Sequence, residues 1–161
     1  LSEKKNKNIE QKDITACEAV SAAKEITSLA ETKKAYLNEQ HALISELERL
    51  KGWGEFSPDD INDLLNKGVD ISFYEMPRAE YDGIPEEVKT ISLEKTKNSV
   101  KFALIISGDD GEEAAEKLKS YRLVLPQFST TQIKQRLEEI SKAVEETDKK
   151  IISIYYNLIK R

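Results

Sequence analysis

The residues able to do chemistry are few and poorly grouped. His41 is the only histidine, set among charged and polar neighbours in a helix-forming stretch, where it reads as a surface or seam filler. Cys17 is the only cysteine, so no intrachain disulfide can form, and a reducing compartment is the simpler expectation. Gly108-Asp-Asp-Gly-Glu-Glu113 joins a strand pattern to a helix pattern, the place where phosphate loops occur. A phosphate loop needs backbone amides with a lysine and a hydroxyl, and this run offers four acids that would repel the anion. The alternating oxygen ligands of a calcium loop are absent from it. Asp109 and Asp110, like Asp59 and Asp60, read as ordinary acids at the positive end of a helix dipole. With no nucleophile, acid–base pair or metal cluster, the chain is expected to be non-catalytic and to hold no cofactor or metal. Trp53 and Phe56 are the remaining candidates, as a partner-binding pair or as junction residues plugging the base of a small domain.

The elements that hold these residues are mostly helical. The chain has 161 residues, 34% of them charged and only 7% aromatic, a balance that suits long solvated helices. A net charge of −5, with acids and bases interspersed, gives no field to attract nucleic acid. No apolar run approaches the roughly 18 residues of a membrane span. The chain opens on a polar, helix-prone Leu1-Ser-Glu-Lys-Lys without an initiator Met, as a piece excised from a longer protein would.

From Ile9 to Lys51 there is no Gly or Pro, and Ala, Glu, Lys, Leu and Gln dominate. Ile26, Leu29, Tyr36, Leu43, Leu47 and Leu50 follow a 3-then-4 spacing, widened by Leu37 and Ile44. Lys33 and Gln40 interrupt it, and Ala19, Ala22 and Ala23 upstream would give a thin contact. The last segment is more regular. Ser129-Thr-Thr-Gln132 is a capping-box pattern, and Ile133, Leu137, Ile140, Val144, Thr147, Ile151, Ile154 and Leu158 repeat at strict 4-3 spacing. Of the adjacent Tyr155 and Tyr156, at most one can face such a seam. Two such helices separated by a compact insert are expected to pair with each other, antiparallel, as arms of roughly 45–60 Å at about 1.5 Å per residue.

The insert, 52–128, lies between the arms 1–51 and 129–161. After Gly52-Trp53-Gly54, Ser57 caps a short helix with Pro58 at its first position, running to Lys67 and stopping at Gly68. Strands are expected over Val69–Met76, Val88–Thr96 and Val100–Ser107, with a hairpin turn at Thr96–Ser99 and an irregular link from Arg78 to Glu87. A helix to about Tyr121 and a last short strand, Leu123-Val124-Leu125, precede Pro126. The fold class is therefore α+β: a long antiparallel two-helix coiled coil with an inserted ferredoxin-like α/β lobe.

Two strings resemble a known family. Leu47-Glu-Arg-Leu-Lys-Gly-Trp-Gly-Glu-Phe56 is similar to the coil and short Leu-x-x-Trp-x-x-Phe turn of the I subunit of V-type ATP synthases, relatives of the V-ATPase a subunit. Leu118-Lys-Ser-Tyr-Arg-Leu-Val-Leu-Pro126 resembles the same family's exit from its lobe. The resemblance implies a cytoplasmic stator region that binds peripheral-stalk subunits and resists rotor torque. It also implies membrane contact only through an absent C-terminal half, and a monomeric fragment. Glycines flank Trp53 where the family carries bulkier or acidic residues, a departure that would loosen the junction, and the Asp109–Glu113 acids have no counterpart in it. The competing reading is a generic coiled-coil adaptor or dimerising regulator whose helices pair between chains. An enzymatic or metabolite-binding lobe lacks convergent polar groups.

Overall fold

The computed structural model describes the backbone of residues 2–55 and 57–160, with the side chains of α1 described from residue 15 onward. Phe56 lies outside the described residues. The elements in order are α1 (Ser2–Leu50), α2 (Pro58–Asn66), β1 (Asp70–Pro77), α3 (Arg78–Tyr81), β2 (Thr90–Lys95), β3 (Ser99–Ile106), α4 (Gly108–Lys117), a 3-10 turn (Lys119–Tyr121) and α5 (Thr130–Ile159). The fold is α+β. Contacts divide the chain into two units, one of residues 1–44 with 135–161 and one of residues 45–134.

The first unit consists of the long helices. No glycine or proline interrupts either, so each keeps its backbone hydrogen bonds throughout. Lys33 Nζ lies 2.8 Å from Asp148 Oδ1, and Arg136 Nε donates to Glu39 Oε1 at 2.7 Å. The higher-numbered partner on α1 thus meets the lower-numbered one on α5, which makes the two helices antiparallel. Leu37 and Ile44 do not widen the stripe of α1, being 38% and 47% exposed. A helix turns about 100° per residue, which carries each of them one step off the stripe defined by Tyr36 and Leu43.

The second unit is built on a three-stranded antiparallel sheet of order β1-β3-β2. β3 pairs with β1 in unbroken register from Asp70↔Ile106 to Pro77↔Ser99. It pairs with β2 from Thr90↔Leu104 to Lys95↔Val100, with a shift between Ser92 and Glu94. The β2–β3 turn falls at Thr96–Ser99: Thr96 N–H donates to Ser99 O at 2.9 Å and Ser99 N–H to Thr96 Oγ1 at 3.0 Å. The central strand reads as a nearly continuous apolar run because Val100, Phe102, Ala103 and Leu104 are all buried. On one face Tyr74, Met76, Val100, Phe102 and Leu104 form the core, covered by Tyr81, Ile84, Val88, Ala114, Leu118 and Tyr121. Tyr74 stacks on Phe102 with ring centroids 5.5 Å apart. Gly111 is buried where α4 crosses β3, and a Cβ there would sit 3.1 Å from Ile106 Cα.

Several local expectations are corrected. Leu123–Leu125 is not a strand. This segment meets β1 through a single antiparallel bridge, Tyr74↔Arg122, and a 2.8 Å bond from Leu123 N–H to Phe73 O. Pro126 has no N–H to continue a ladder, and Val124 is 76% exposed. β2 begins at Thr90 rather than Val88, and its Ile91 and Leu93 are 50% and 45% exposed. β2 lies at the sheet edge, and the register shift disturbs the alternation there. Gly108-Asp-Asp-Gly111 is the first turn of α4 itself. Ser57 occupies the N-cap of α2, yet its side chain makes no capping bond. At the other end of α2, Gly68 with φ +89° takes the left-handed position, with Gly68 N–H on Leu65 O and Val69 N–H on Leu64 O.

Candidate functional site

The apolar positions of the two long helices carry the strongest sequence signal. Along α1 the less exposed positions include Ala22, Ile26, Leu29, Lys33, Tyr36, Gln40, Leu43 and Leu47, ending on Leu50, which is buried; Glu39 and Glu46 share that intermediate exposure. Along α5 they include Ile133, Leu137, Ile140, Val144, Thr147, Ile151 and Ile154. Ile133 and Ile140 are 2% and 0% exposed. Leu158 is 37% exposed, and Tyr155 and Tyr156 both face outward at 51% and 58%. Two of the polar interruptions have named partners: Lys33 pairs with Asp148, and Thr147 donates to Ala143 O in its own helix at 2.7 Å.

Arg136 is the best-connected charge. Its Nε and Nη2 reach both carboxylate oxygens of Glu39 at 2.7 and 3.0 Å, and Nη1 reaches Glu139 at 3.3 Å. This two-bond fork matches a planar guanidinium to a carboxylate, which a lysine ammonium could not do. Hydrogen bonding to Arg136 holds the Glu39 carboxyl below its ordinary range. The bonds to Glu39 and Glu139 raise Arg136 further above its own. The same effect recurs one turn before the end of α1, where hydrogen bonding to Arg49 lowers Glu46. Arg49 also donates to Val124 O at 2.6 Å, which ties the extended segment to the helix end.

Ser129 and Gln132 close the capping box that starts α5, Ser129 N–H to Gln132 Oε1 at 2.9 Å and Gln132 N–H to Ser129 Oγ at 3.1 Å.

Trp53 is 7% exposed and packs edge-on to Phe73 of β1, with centroids 5.9 Å apart. Its indole is therefore covered by this chain itself. Gly52 explains the local sequence. Its φ is +88°, and a Cβ would run into the Glu94 carboxylate and Lys101 ammonium of the sheet. The positive φ favours glycine there, and a larger residue would also have to displace the flexible ends of Glu94 and Lys101. Lys101, with a side chain 14% exposed, sits 4.0 Å from Glu75 and 3.7 Å from Glu94.

Cys17 and His41 are exposed, and the acids of Gly108–Glu113 line the start of α4. Among the described residues no group of three His, Cys, Asp or Glu is placed to hold a metal. Nor is any helix long and apolar enough to cross a membrane.

Sequence reasoning missed a groove of about 560 Å³ on the core face of the sheet, lined in part by Met76, Ile84, Val88, Ala114 and Leu118. Its signal was present in Gly83 and Pro85, which keep a full helix from covering that part of the sheet.

No family model matches the chain. It is 27% identical over 97 residues to V-type ATP synthase subunit I 1 of Treponema pallidum, a match over 60% of this chain and 15% of that protein. It is 24% identical over 99 residues to V-type ATP synthase subunit I of Borreliella burgdorferi, over 60% of this chain and 16% of that protein. The chain therefore spans about a sixth of the length of these curated relatives. It is distantly related to V-type ATP synthase subunit I.

Proposed function

We propose that this chain is a stator and scaffold part of a rotary V-type ATPase. In this reading it is a cytoplasmic region of subunit I that binds the peripheral stalk and resists rotor torque during ATP-coupled ion transport. It performs no catalysis itself, and membrane attachment belongs to the rest of subunit I. The observation that carries the reading is the similarity to two subunit I proteins over 60% of the chain.

The physical features agree with it. The helices form an antiparallel coiled coil whose seam is Leu29, Tyr36, Leu43, Leu47 and Leu50 on one side. Ile133, Leu137, Ile140, Val144, Ile151, Ile154 and Leu158 make the other. The 3-4 spacing of the least exposed positions supports this seam, as do the cross-helix pairs Lys33–Asp148 and Glu39–Arg136. The α/β unit is a reduced ferredoxin-like lobe. β1 and β2 both run antiparallel to β3, which lies between them as in a split βαβ unit, and Arg122 bridges to the far edge of β1. Trp53 serves as a junction residue of this lobe.

Pull-down with a purified peripheral-stalk heterodimer tests the function. Capture by the folded chain is expected, and failure of the folded chain to bind refutes it. The coil is tested by Leu137→Asp or Ile151→Asp, each of which places a charge in the seam. Loss of helical circular dichroism is expected, and an unchanged spectrum contradicts the pairing. A second reading, a coiled-coil adaptor pairing between chains, is favoured by the exposed Ile152, Tyr155, Tyr156 and Ile159 on the final turns of α5. Light scattering separates the two: a monomer supports pairing within the chain, an obligate dimer the adaptor.

A further inference from the structure

The groove on the core face of the sheet has a chemistry of its own. Its floor is apolar, formed by Met76, Val88, Ala114 and Leu118. Around it stand Glu80, Glu87, Asp110 and Glu113, with Lys117 the one basic residue of the lining. Lys117 is already paired with Glu113 at 3.1 Å, so the rim presents the negative charge of Glu80, Glu87 and Asp110. Tyr121 donates its hydroxyl to Glu80, which fixes that carboxylate beside the floor as an acceptor.

We infer that this groove docks an amphipathic helix of a partner protein, with an apolar stripe on one face and lysines or arginines flanking it. Three arguments lead there. An apolar centre inside a charged, solvent-exposed rim is the pattern of a protein interface. Small-molecule sites instead fix their ligand with a few convergent buried polar groups, and these carboxylates are exposed on the rim. A volume of about 560 Å³ takes a few apolar side chains, not a whole element, which is how a helix engages a groove through anchors at i, i+3, i+4 and i+7. The sign of the rim then fixes the sign of the partner, since like charges facing one another across an interface are repelled. The inference stands on the groove alone and does not depend on the stator reading.

The test is calorimetric titration of the full chain with a designed leucine–lysine helix of about five turns. The control peptide has the same composition, scrambled so that no apolar stripe forms. Wild-type chain is expected to bind the amphipathic peptide about tenfold more tightly than the scrambled one, with hydrogen-exchange protection at residues 84–88 and 114–118. Glu87→Lys with Asp110→Lys should weaken binding by about tenfold, while Glu138→Lys with Glu145→Lys on α5, an equal change in net charge, should leave it within about twofold. All four acids are exposed, so folding survives, and Trp53 fluorescence verifies it. Equal binding of the scrambled peptide, equal loss in the α5 variant, or no binding by the folded wild type would each overturn the inference.

Discussion

Replacing Gly52 by alanine tests whether the end of α1 is held by a close approach to the sheet. Gly52 and Gly54 share a positive φ, +88° and +77°, but among the described residues only Gly52 has neighbours where a Cβ would go. The pair therefore separates backbone strain from steric contact. A left-handed alanine costs about 1–2 kcal/mol, of which about 0.4–1 kcal/mol is offset by a less flexible unfolded chain. Gly54→Ala should therefore destabilise by about 0.5–1 kcal/mol. Gly52→Ala adds the displacement of the Glu94 carboxylate from Lys101. Both are ends of flexible side chains, so they can swing away, but the Lys101 side chain is only 14% exposed and depends on Glu75 and Glu94 for compensation. Weakening that arrangement costs a further ~1–2 kcal/mol, bringing Gly52→Ala to about 1.5–3 kcal/mol. Urea unfolding followed at 222 nm and by the fluorescence of Trp53, the only tryptophan, measures both variants. Trp53 adjoins Gly52 and is buried, so its transition reports the junction directly. In a Glu94→Ala background the excess cost at Gly52 should shrink toward that at Gly54. Equal destabilisation by the two substitutions in the wild-type background would refute the close-approach argument.

Three further outcomes follow from named contacts. Because Glu39 is lowered by its bond to Arg136, its contribution is present above the ordinary carboxylate range and lost as pH falls through its depressed folded value. Melting curves on the acid side should thus show a weaker fall of Tm in Arg136→Ala than in wild type, and parallel curves would remove the bond from the account. Tyr121 is raised above its ordinary value by its bond to Glu80, so its contribution is full below about pH 10 and fades as pH rises through the folded value. Spectrophotometric titration should lose a late-ionising step in Tyr121→Phe relative to wild type; an unchanged late region counts against the bond. Ile140→Ala, at a fully buried position, should cost about 2–5 kcal/mol, against under ~1 kcal/mol for Leu158→Ala, which is 37% exposed. Equal costs in urea unfolding would contradict the burial gradient along α5.

Much of the helical organisation was legible because periodicity and capping are local. The α5 start could be read from Ser129 and Gln132, and both capping bonds form. The β2–β3 turn was equally visible in Thr96 and Ser99. What escaped depends on residues distant in sequence. Leu123-Val124-Leu125 has strand-like composition, yet Arg49, 75 residues earlier, takes the Val124 carbonyl, and pairing with β1 stops after Arg122 and Leu123. Lys33 and Gln40 looked like flaws in an apolar repeat, and for Lys33 the answer lies 115 residues away at Asp148. Leu37 and Ile44 show the converse error, since hydrophobicity alone placed them beside the stripe and the helix turn carries them into solvent.

The groove was hidden for the same physical reason. Its floor joins Met76 and Val88 to Ala114 and Leu118, and these segments meet through the pairing of β1 and β2 with β3 together with the packing of Ala114 and Leu118 on the sheet core. Read singly, Glu80, Glu87 and Asp110 are surface acids of the kind that any charged chain carries. Glu80 differs because Tyr121, 41 residues on, holds it beside an apolar floor. A charge acquires a role in recognition when its neighbours limit where it can go. On that criterion Glu80 is better placed to orient a basic partner than Asp59 or Asp60, which lie in the first turn of α2, where acids complement the helix dipole.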